Sequence, residues 1–127
     1  MTEIQSLGTI DITILEKEFG KIQSDEIIVT SERIDHIKER HPEDFELFSK
    51  YGAESVKSPD IIMKDEKHEG TVFMVKKLPD TNLNVVVRIA LETDEIGRKN
   101  SVMTFYRIRE RNLRKLMQRN KLLYNKE

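Results

Sequence analysis

The amino-acid sequence predicts an α+β fold in which N-terminal helices pack on a four- to five-stranded antiparallel sheet, followed by a C-terminal basic helix. Apolar residues recur three and four positions apart between residues 31 and 57, which is the period of an amphipathic helix. From residue 60 to residue 109 the pattern changes to alternation, which is typical of strands. The intervals between these strands are shorter than the dozen or so residues that a parallel crossover needs, so we predict an antiparallel meander.

Length and composition bound the class of protein. A chain of 127 residues suits one domain with a real core, and charged residues make up 35% of it. The absence of cysteine excludes disulfides, thiolate nucleophiles and cysteine metal sites, and it suits a reducing compartment. There is no basic-then-apolar leader and no apolar run near 18 residues, roughly the length of a membrane span. We therefore expect a soluble, cytoplasmic protein that does not contact a membrane.

The first 26 residues are predicted to be an N-terminal strand or arm without an assigned role, and residues 27–127 to form the domain itself. Within the arm, positions 8–15 alternate weakly in isoleucine, which indicates a strand. Positions 16–20 then provide its turn. The outward residues of this strand are polar, so an edge strand or an appended hairpin fits best.

A helix is predicted from Ser31 to about His41, after a short extended run at positions 27–30. Thr30 or Ser31 can cap its start by accepting a backbone N–H of the first turn. Pro42 lacks an N–H and disfavours helical geometry in the residue before it, so the helix should end there. A second short helix is expected at positions 43–50, ending near Gly52, with one more helical turn at 53–57.

Four strands and a last helix follow. The strands are predicted at positions 60–64, 71–77, 83–92 and 101–109, and the helix at 110 to about 122. In the third strand one set of alternating side chains is fully apolar and should face the helices, while the other set contains Arg88. In the fourth strand both alternating sets are half apolar, so the pattern leaves open which set faces the helices.

His36 and Arg40 are the first candidates for chemistry. They share a helix face with Arg33, since the three are spaced three and four residues apart. A histidine can exchange protons near neutral pH, and an arginine can stabilise charge on a phosphate. His41 falls beside Pro42 on the isoleucine face, where capping or packing is the simpler role. The three histidines, with His68, do not have metal-ligand spacing, so no metal is expected.

Arg88, Thr104 and Tyr106 form the second group of candidates, on neighbouring predicted strands. A lone arginine in the middle of a strand either extends to solvent or has an anionic partner. A tyrosine can hydrogen-bond a phosphate or stack on a base. Lys76 on another strand could join the same surface. No glycine-rich phosphate loop is present, so no nucleotide cofactor is expected.

Charge is unevenly distributed along the chain. From Arg98 to the end there are ten Lys and Arg against two Glu, so this segment carries +8 and the first 97 residues therefore carry −9. Such segregation indicates an anionic partner for the C-terminal part. The alternative is a solvated basic helix that balances an acidic N-terminal half.

These features resemble the phage and mobile-element domains grouped with barnase, EndoU, colicin and RelE ribonucleases. The resemblance extends over about residues 27–125 and rests on three segments, which are VTSERIDHIKERHP at 29–42, VVVRIA at 85–90 and NSVMTFYRI at 100–108. Its most distinctive part is the His-x-x-x-Arg-His-Pro signature at 36–42. It implies a small α+β ribonuclease fold with a curved antiparallel sheet and an active site on the open face. It also implies cleavage of RNA without metal or cofactor, by the ribose 2′-hydroxyl.

Transferred to this sequence, the resemblance makes His36 the acid/base group, Arg40 and Arg88 the phosphate ligands, and Thr104 and Tyr106 the groups that orient the nucleotide. We therefore predict an RNA endonuclease of the toxin or effector type, with RNA and an inhibitor or immunity protein as partners. The basic side chains expected to bind nucleic acid are Arg33, Lys76, Arg107, Arg109 and Arg111. Two alternatives stay open: a non-catalytic nucleic-acid-binding module on the same fold, and a phage or mobile-element protein-interaction domain.

Overall fold

A computed structural model describes residues 3–126 of the chain. Over these residues the fold is α+β, as predicted, with four helices and one seven-stranded mixed sheet in the strand order β1-β2-β6-β5-β4-β3-β7. The elements in chain order are β1 (Ile4–Thr9), α1 (Ile12–Phe19), β2 (Glu26–Thr30), α2 (Ser31–Arg40), α3 (Pro42–Lys57), β3 (Ile61–Lys64), β4 (Thr71–Lys77), β5 (Asn82–Arg88), β6 (Asn100–Ile108), α4 (Glu110–Arg119) and β7 (Lys121–Asn125). The described part of the chain has no helix that is both long and apolar enough to cross a membrane.

The predicted antiparallel meander is the centre of the sheet. Strands β3 to β6 pair antiparallel in sequence order, and β4 has the bounds that alternation predicted. The sheet has more strands than the four or five expected, because β1 and β7 add an edge on each side. It is also mixed, since β2 pairs parallel with β6. That pairing joins strands separated by most of the chain, which short-range patterns do not report.

The N-terminal strand predicted at positions 8–15 is wrong. The strand lies earlier, as β1, and pairs antiparallel with β2, so the chain does not begin with helices. Helix α1 follows at Ile12–Phe19, where Asp11 caps its start by accepting the backbone N–H of Thr13 at 2.9 Å. The isoleucines at 10, 12 and 14 fit alternation, but the capping carboxylate and the burial of Leu15 stabilise a helix instead.

Helix α2 has the predicted limits and α3 does not. The Thr30 hydroxyl accepts the N–H of Arg33 at 3.2 Å, and Pro42 begins α3 directly after α2 ends. Helix α3 is one helix of 16 residues rather than the two pieces expected. Gly52 lies inside this helix rather than ending it. A Cβ at this position would lie only 2.7 Å from the ring of Phe48. Glycine at this position therefore serves packing.

The last helix is shorter than predicted. Helix α4 ends at Arg119, and Asn120 closes it by donating from Nδ2 to the carbonyl of Leu116 at 2.9 Å. The same Asn120 accepts the backbone N–H of Glu66 through Oδ1 at 3.0 Å. The chain then forms β7 against β3 instead of continuing as helix to residue 122.

The sheet separates two cores, which define its two sides. The helix-packed face carries α1 to α3 and includes Val85 and Val87, with the rings of Phe48 and Phe105 stacked 3.9 Å apart between their centroids. The α4 face carries α4 and the remaining apolar side chains, including Phe73, Val86, Ile108 and Leu113. A bulge between Val86 and Val87, opposite Met103, shifts the alternation of β6. Val102 and Phe105 therefore share the helix-packed core, while Thr104 and Tyr106 lie on the α4 face.

Candidate active-site groove

An open cavity of about 680 Å³ lies on the α4 face, between the sheet, α4 and the loop that joins β3 to β4. Its apolar part comes from Phe73 and Val86 in the sheet, Met103 in β6 and Leu116 in α4. Its polar side chains include Asp65, His68, Thr71, Thr104, Tyr106 and Arg119. We call this cavity the groove. It combines apolar surface on which a base could rest with hydroxyl, imidazole and guanidinium groups.

The loop between β3 and β4 places an Asp–His pair in the groove. Asp65 accepts a hydrogen bond from His68 Nδ1 to Oδ2 at 2.8 Å, and the backbone N–H of Lys67 donates to its Oδ1 at 2.9 Å. The side chain of Asp65 is only 9% exposed, whereas that of His68 is 72% exposed. Because a carboxylate only accepts, the proton of the neutral imidazole lies on Nδ1. Nε2 of His68 is then left with a lone pair that can accept a proton.

Tyr106 reaches the groove from β6 and is supported from below by Asn84. The Asn84 amide donates from Nδ2 to the Tyr106 hydroxyl at 3.0 Å. Burial raises the pKa of Tyr106, and the nearby charge of Asp65 raises it further, although the Asn84 hydrogen bond opposes them. Tyr106 is therefore a protonated hydrogen-bond donor at neutral pH. Asn84 is fully buried, and within residues 3–126 its Oδ1 has no hydrogen-bond partner.

Arg88 lies on the same face of the sheet, beside Thr71 at the border of the groove. Its guanidinium donates to the carbonyl of Ile89 and, at 2.9 Å, to the carboxylate of Asp94. The backbone N–H of Leu91 lowers the pKa of Asp94 most, and Arg88 adds to the lowering. Of the two alternatives for a strand arginine, solvent or an anionic partner, Arg88 has the partner, and its side chain is 27% exposed.

Gly70 completes the surroundings of that guanidinium. It has a φ of +75°, and a Cβ at this position would collide with the Arg88 guanidinium. The positive φ of the turn before β4 therefore favours glycine, and a larger residue would also displace the Arg88 guanidinium.

The other predicted catalytic residues lie elsewhere. His36 lines a separate, small pocket of about 230 Å³ with Thr30, Glu32 and Arg33. Arg40 is exposed in the last turn of α2. Helix α2 itself packs through Ile37 on the helix-packed core. Of the five predicted catalytic residues, Thr104 and Tyr106 line the groove, Arg88 borders it, and His36 and Arg40 are not among its lining residues.

The basic residues predicted to bind nucleic acid are also divided between surfaces. Lys76 and Arg107 lie on the helix-packed side: Lys76 Nζ donates to the carbonyl of Ser58 at 3.0 Å, and Arg107 Nε to Asp44 Oδ1 at 2.7 Å. Arg109 precedes α4 as its N-cap residue and Arg111 is exposed in its first turns. Arg33 lies with His36, as described above.

Three polar residues of the groove were not predicted from the sequence to be site residues. Asp65, His68 and Arg119 were not proposed as a site, and His68 was considered only as a metal ligand. The one local signal was the spacing of three between Asp65 and His68 in a predicted turn, which many polar turns share. Over the described residues, no group of three or more His, Asp or Glu side chains is arranged to hold a metal ion.

Comparison with known proteins gives one match. The family model described as phage-Barnase-EndoU-ColicinE5/D-RelE like nuclease2 matches residues 2–125. A comparison with curated proteins found no match, and neither did a comparison with solved structures. The matched range confirms the resemblance noted from the sequence, and it extends through residues 2–26, which the resemblance had left out.

Proposed function

This chain belongs to the phage-Barnase-EndoU-ColicinE5/D-RelE like nuclease 2 family, and we propose that it is a metal-independent RNA endonuclease. The nucleophile would be the ribose 2′-hydroxyl next to the scissile phosphate. Membership of this family supports a nuclease activity. The side chains of the groove support the more specific proposal that RNA is cleaved without a metal ion. The single observation that carries it is that one open groove holds an imidazole, a phenol, a threonine hydroxyl and a guanidinium.

Those groups suit a single strand of RNA. Arg119 can pair with a phosphate, because a guanidinium offers several fixed donors to its oxygens. The hydroxyls of Thr104 and Tyr106 can donate to the same phosphate or to the ribose. Phe73 and Met103 add apolar surface against which a base can pack. Substrate binding in this groove would thus use both backbone and base contacts.

The basic α4 gives the groove an attractive surface for an anion. Arg111, Arg114, Lys115 and Arg119 all belong to this helix, whose acidic residue is Glu110 in the first turn. Lysine and arginine clusters of this kind bind the nucleic-acid backbone with an affinity that falls with salt. Nucleic acid would therefore approach the sheet from the α4 side.

The remaining predicted residues keep their proposed roles as hypotheses. Arg88 could bind a phosphate only through those guanidinium N–H groups that do not already donate to Asp94 and Ile89. His36 and Arg40 would have to act from α2, outside the groove lining. A toxin or effector role and an inhibitor protein as partner also remain proposals, and induced expression with a count of surviving cells tests the first.

The direct test is incubation of the purified protein with a labelled RNA of mixed sequence in EDTA, beside a DNA of the same sequence. We expect cleavage of RNA only, with a 2′,3′-cyclic phosphate at the new end. Tyr106→Phe, which removes one hydroxyl, should lower kcat about tenfold or more. Tyr124→Phe is the matched control, since Tyr124 packs on the helix-packed core, and it should cleave like wild type.

The alternatives give different results in the same assay. Binding that weakens steeply with salt, without cleavage, would identify a non-catalytic RNA-binding module. Neither binding nor cleavage at low salt would favour a protein-interaction domain and reject the nuclease proposal for this chain.

A further inference from the structure

We propose that His68, held by Asp65, is the group that accepts the proton of the ribose 2′-hydroxyl, and that Asp65 is its positioning residue. This inference rests on the proposed RNA endonuclease function. It assigns the acid–base step to a loop that no motif marked, rather than to His36 on α2.

The two side chains of the pair differ sharply in burial. Asp65 is 9% exposed and is fixed on both carboxylate oxygens, by the Lys67 N–H and by His68 Nδ1. His68 is 72% exposed, so a substrate can reach its ring. A buried carboxylate that holds one imidazole nitrogen while the other stays accessible fixes the tautomer in which the accessible nitrogen is the base.

Backbone hydrogen bonds hold the loop between β3 and β4 in place. The backbone N–H of Asp65 donates to the carbonyl of Thr71 at 2.9 Å, and that of Thr71 donates to the carbonyl of His68 at 3.2 Å. The next residue, Glu66, is tied to α4 through Asn120. The loop is thus joined to both the sheet and the helix that border the groove, which keeps the imidazole in a fixed place.

Charged and polar side chains line the groove together with the imidazole. The loop supplies Asp65, Glu66 and Lys67, α4 supplies Arg119, and β6 supplies Tyr106, which is un-ionised at neutral pH. Asp65 stabilises the imidazolium that forms when His68 takes a proton. The side chain of Arg119 is exposed and makes no hydrogen bond or ion pair with residues 3–126, so its guanidinium is available to the phosphate.

The proposed cleavage step uses only groove side chains and solvent. Nε2 of neutral His68 takes the proton of the 2′-hydroxyl, the O2′–P bond forms and the P–O5′ bond breaks. The leaving O5′ takes a proton from solvent, and His68 later returns its proton to solvent. Arg119 and Tyr106 would donate to the non-bridging oxygens as charge builds on them. The products are a 2′,3′-cyclic phosphate and a 5′-hydroxyl, so no oxidant, reductant or metal is needed.

The test compares His68→Gln with the control His41→Gln in the same RNA cleavage assay, and His36→Gln tests the competing assignment. We expect His68→Gln to lower kcat about 100-fold or more, the usual effect of removing a general base. His41 is exposed and outside the groove lining, so His41→Gln should stay within about threefold of wild type. Because His68 is exposed, its variant should keep the wild-type circular dichroism spectrum and unfolding temperature.

Two further readouts separate a chemical role from a structural one. His68→Gln should lose the pH dependence of kcat/KM that the wild type shows, because a glutamine side chain cannot take up the proton of the 2′-hydroxyl. Asp65→Asn should lower kcat with little change in KM, and Asp65→Glu should restore part of the rate. A uniform rise in KM would instead indicate a binding role for the loop.

The results of these assays distinguish failure of the His68 assignment from failure of the proposed RNA endonuclease function. If wild type cleaves RNA and His68→Gln cleaves equally well, His68 is not the base and the proposed function stands. If His36→Gln alone abolishes cleavage, the base lies on α2 as the sequence predicted. If wild type leaves RNA intact at high protein concentration, both the function and the inference are rejected.

Discussion

The two faces of the sheet are built for different purposes. On the helix-packed face, three helices cover a continuous apolar core, and the cations near it have close partners: Arg107 with Asp44, and Lys76 with the carbonyl of Ser58. On the α4 face, one short helix is held by a single fully buried side chain, Leu113. Beside it lie an open groove and the buried Oδ1 of Asn84, which has no hydrogen-bond partner among residues 3–126.

The contrast between the two faces indicates that one face stabilises the fold and the other carries the candidate site. A buried polar atom left unsatisfied costs about 1–3 kcal/mol, and such atoms in native proteins often mark functional sites. Here that cost lies under Tyr106, on the face where apolar packing is least complete. The helix-packed face supplies the stability that lets the α4 face remain open. Four predictions test this division, from the largest expected effect to the smallest.

Phe105→Ala should destabilise the protein most. The ring is 1% exposed and stacked on Phe48, so its removal leaves a cavity in the main core, at a cost of about 3–5 kcal/mol. Urea unfolding measures the loss. Met103→Ala is the control on the same strand: it is 40% exposed, and its cost should stay within about 0.5 kcal/mol. Equal costs for the two variants would mean that the faces do not differ in packing.

Leu113→Ala should have a smaller and more local effect. The lost burial is about 2–3 kcal/mol, and it removes the anchor of α4 rather than the main core. Hydrogen exchange should therefore accelerate in α4 and not in β5, and RNA cleavage should fall because the groove loses a wall. Acceleration throughout the sheet would instead show that the two cores unfold as one unit.

Asp94→Asn should cost about 1 kcal/mol near neutral pH, since it weakens the hydrogen bonds to Arg88 and Leu91. The folded-state pKa of Asp94 is lowered from 3.8, so the unfolded state binds more protons in the window below that value. This contribution is present above the unfolded pKa and is lost as pH falls through the folded pKa. Urea unfolding at about pH 6 and about pH 3 should show the wild-type advantage shrinking in acid.

Arg119→Ala should give the smallest effect, about a threefold loss of RNA affinity. The slope of log affinity against log salt concentration should also become shallower by about 0.7, the value for one lost phosphate contact on a single strand. Arg107→Ala is the matched comparison, since its guanidinium is already held by Asp44 on the other face. Fluorescence anisotropy over a range of salt concentrations ranks the two. A larger effect for Arg107 would place the RNA on the helix-packed side, as the sequence prediction for Arg107 allows.

Local signals predicted much of the fold. The hydroxyl of Thr30 and the ring of Pro42 fix both ends of α2, because capping and proline sterics act within a few residues. Alternation predicted β4 to the residue. Alternation failed in β6, where Val102 faces the same core as Phe105, because a bulge changes the parity of the strand.

The candidate site was predicted only in part, for a related reason. Thr104 and Tyr106 lie two apart on one strand, so their common direction follows from local geometry. Asp65 and His68 lie in a polar turn whose local sequence does not distinguish it from other polar turns. Only its position beside α4 in the folded protein marks it as part of a site. Their place in the groove depends on Asn120, 54 residues from Glu66 in the chain, which ties that turn to the helix.

The sequence by itself determined the class of fold, the central meander, the limits of α2 and the family resemblance, because each depends on residues close together in the chain or on short motifs. Only the tertiary structure decided the edge strands β1 and β7, the parallel pairing of β2 with β6 and the meeting of Asp65, His68, Tyr106 and Arg119. Those features require contacts between segments far apart in sequence. The free energy of such contacts comes from burial and pairing in the assembled fold, which a local pattern does not contain.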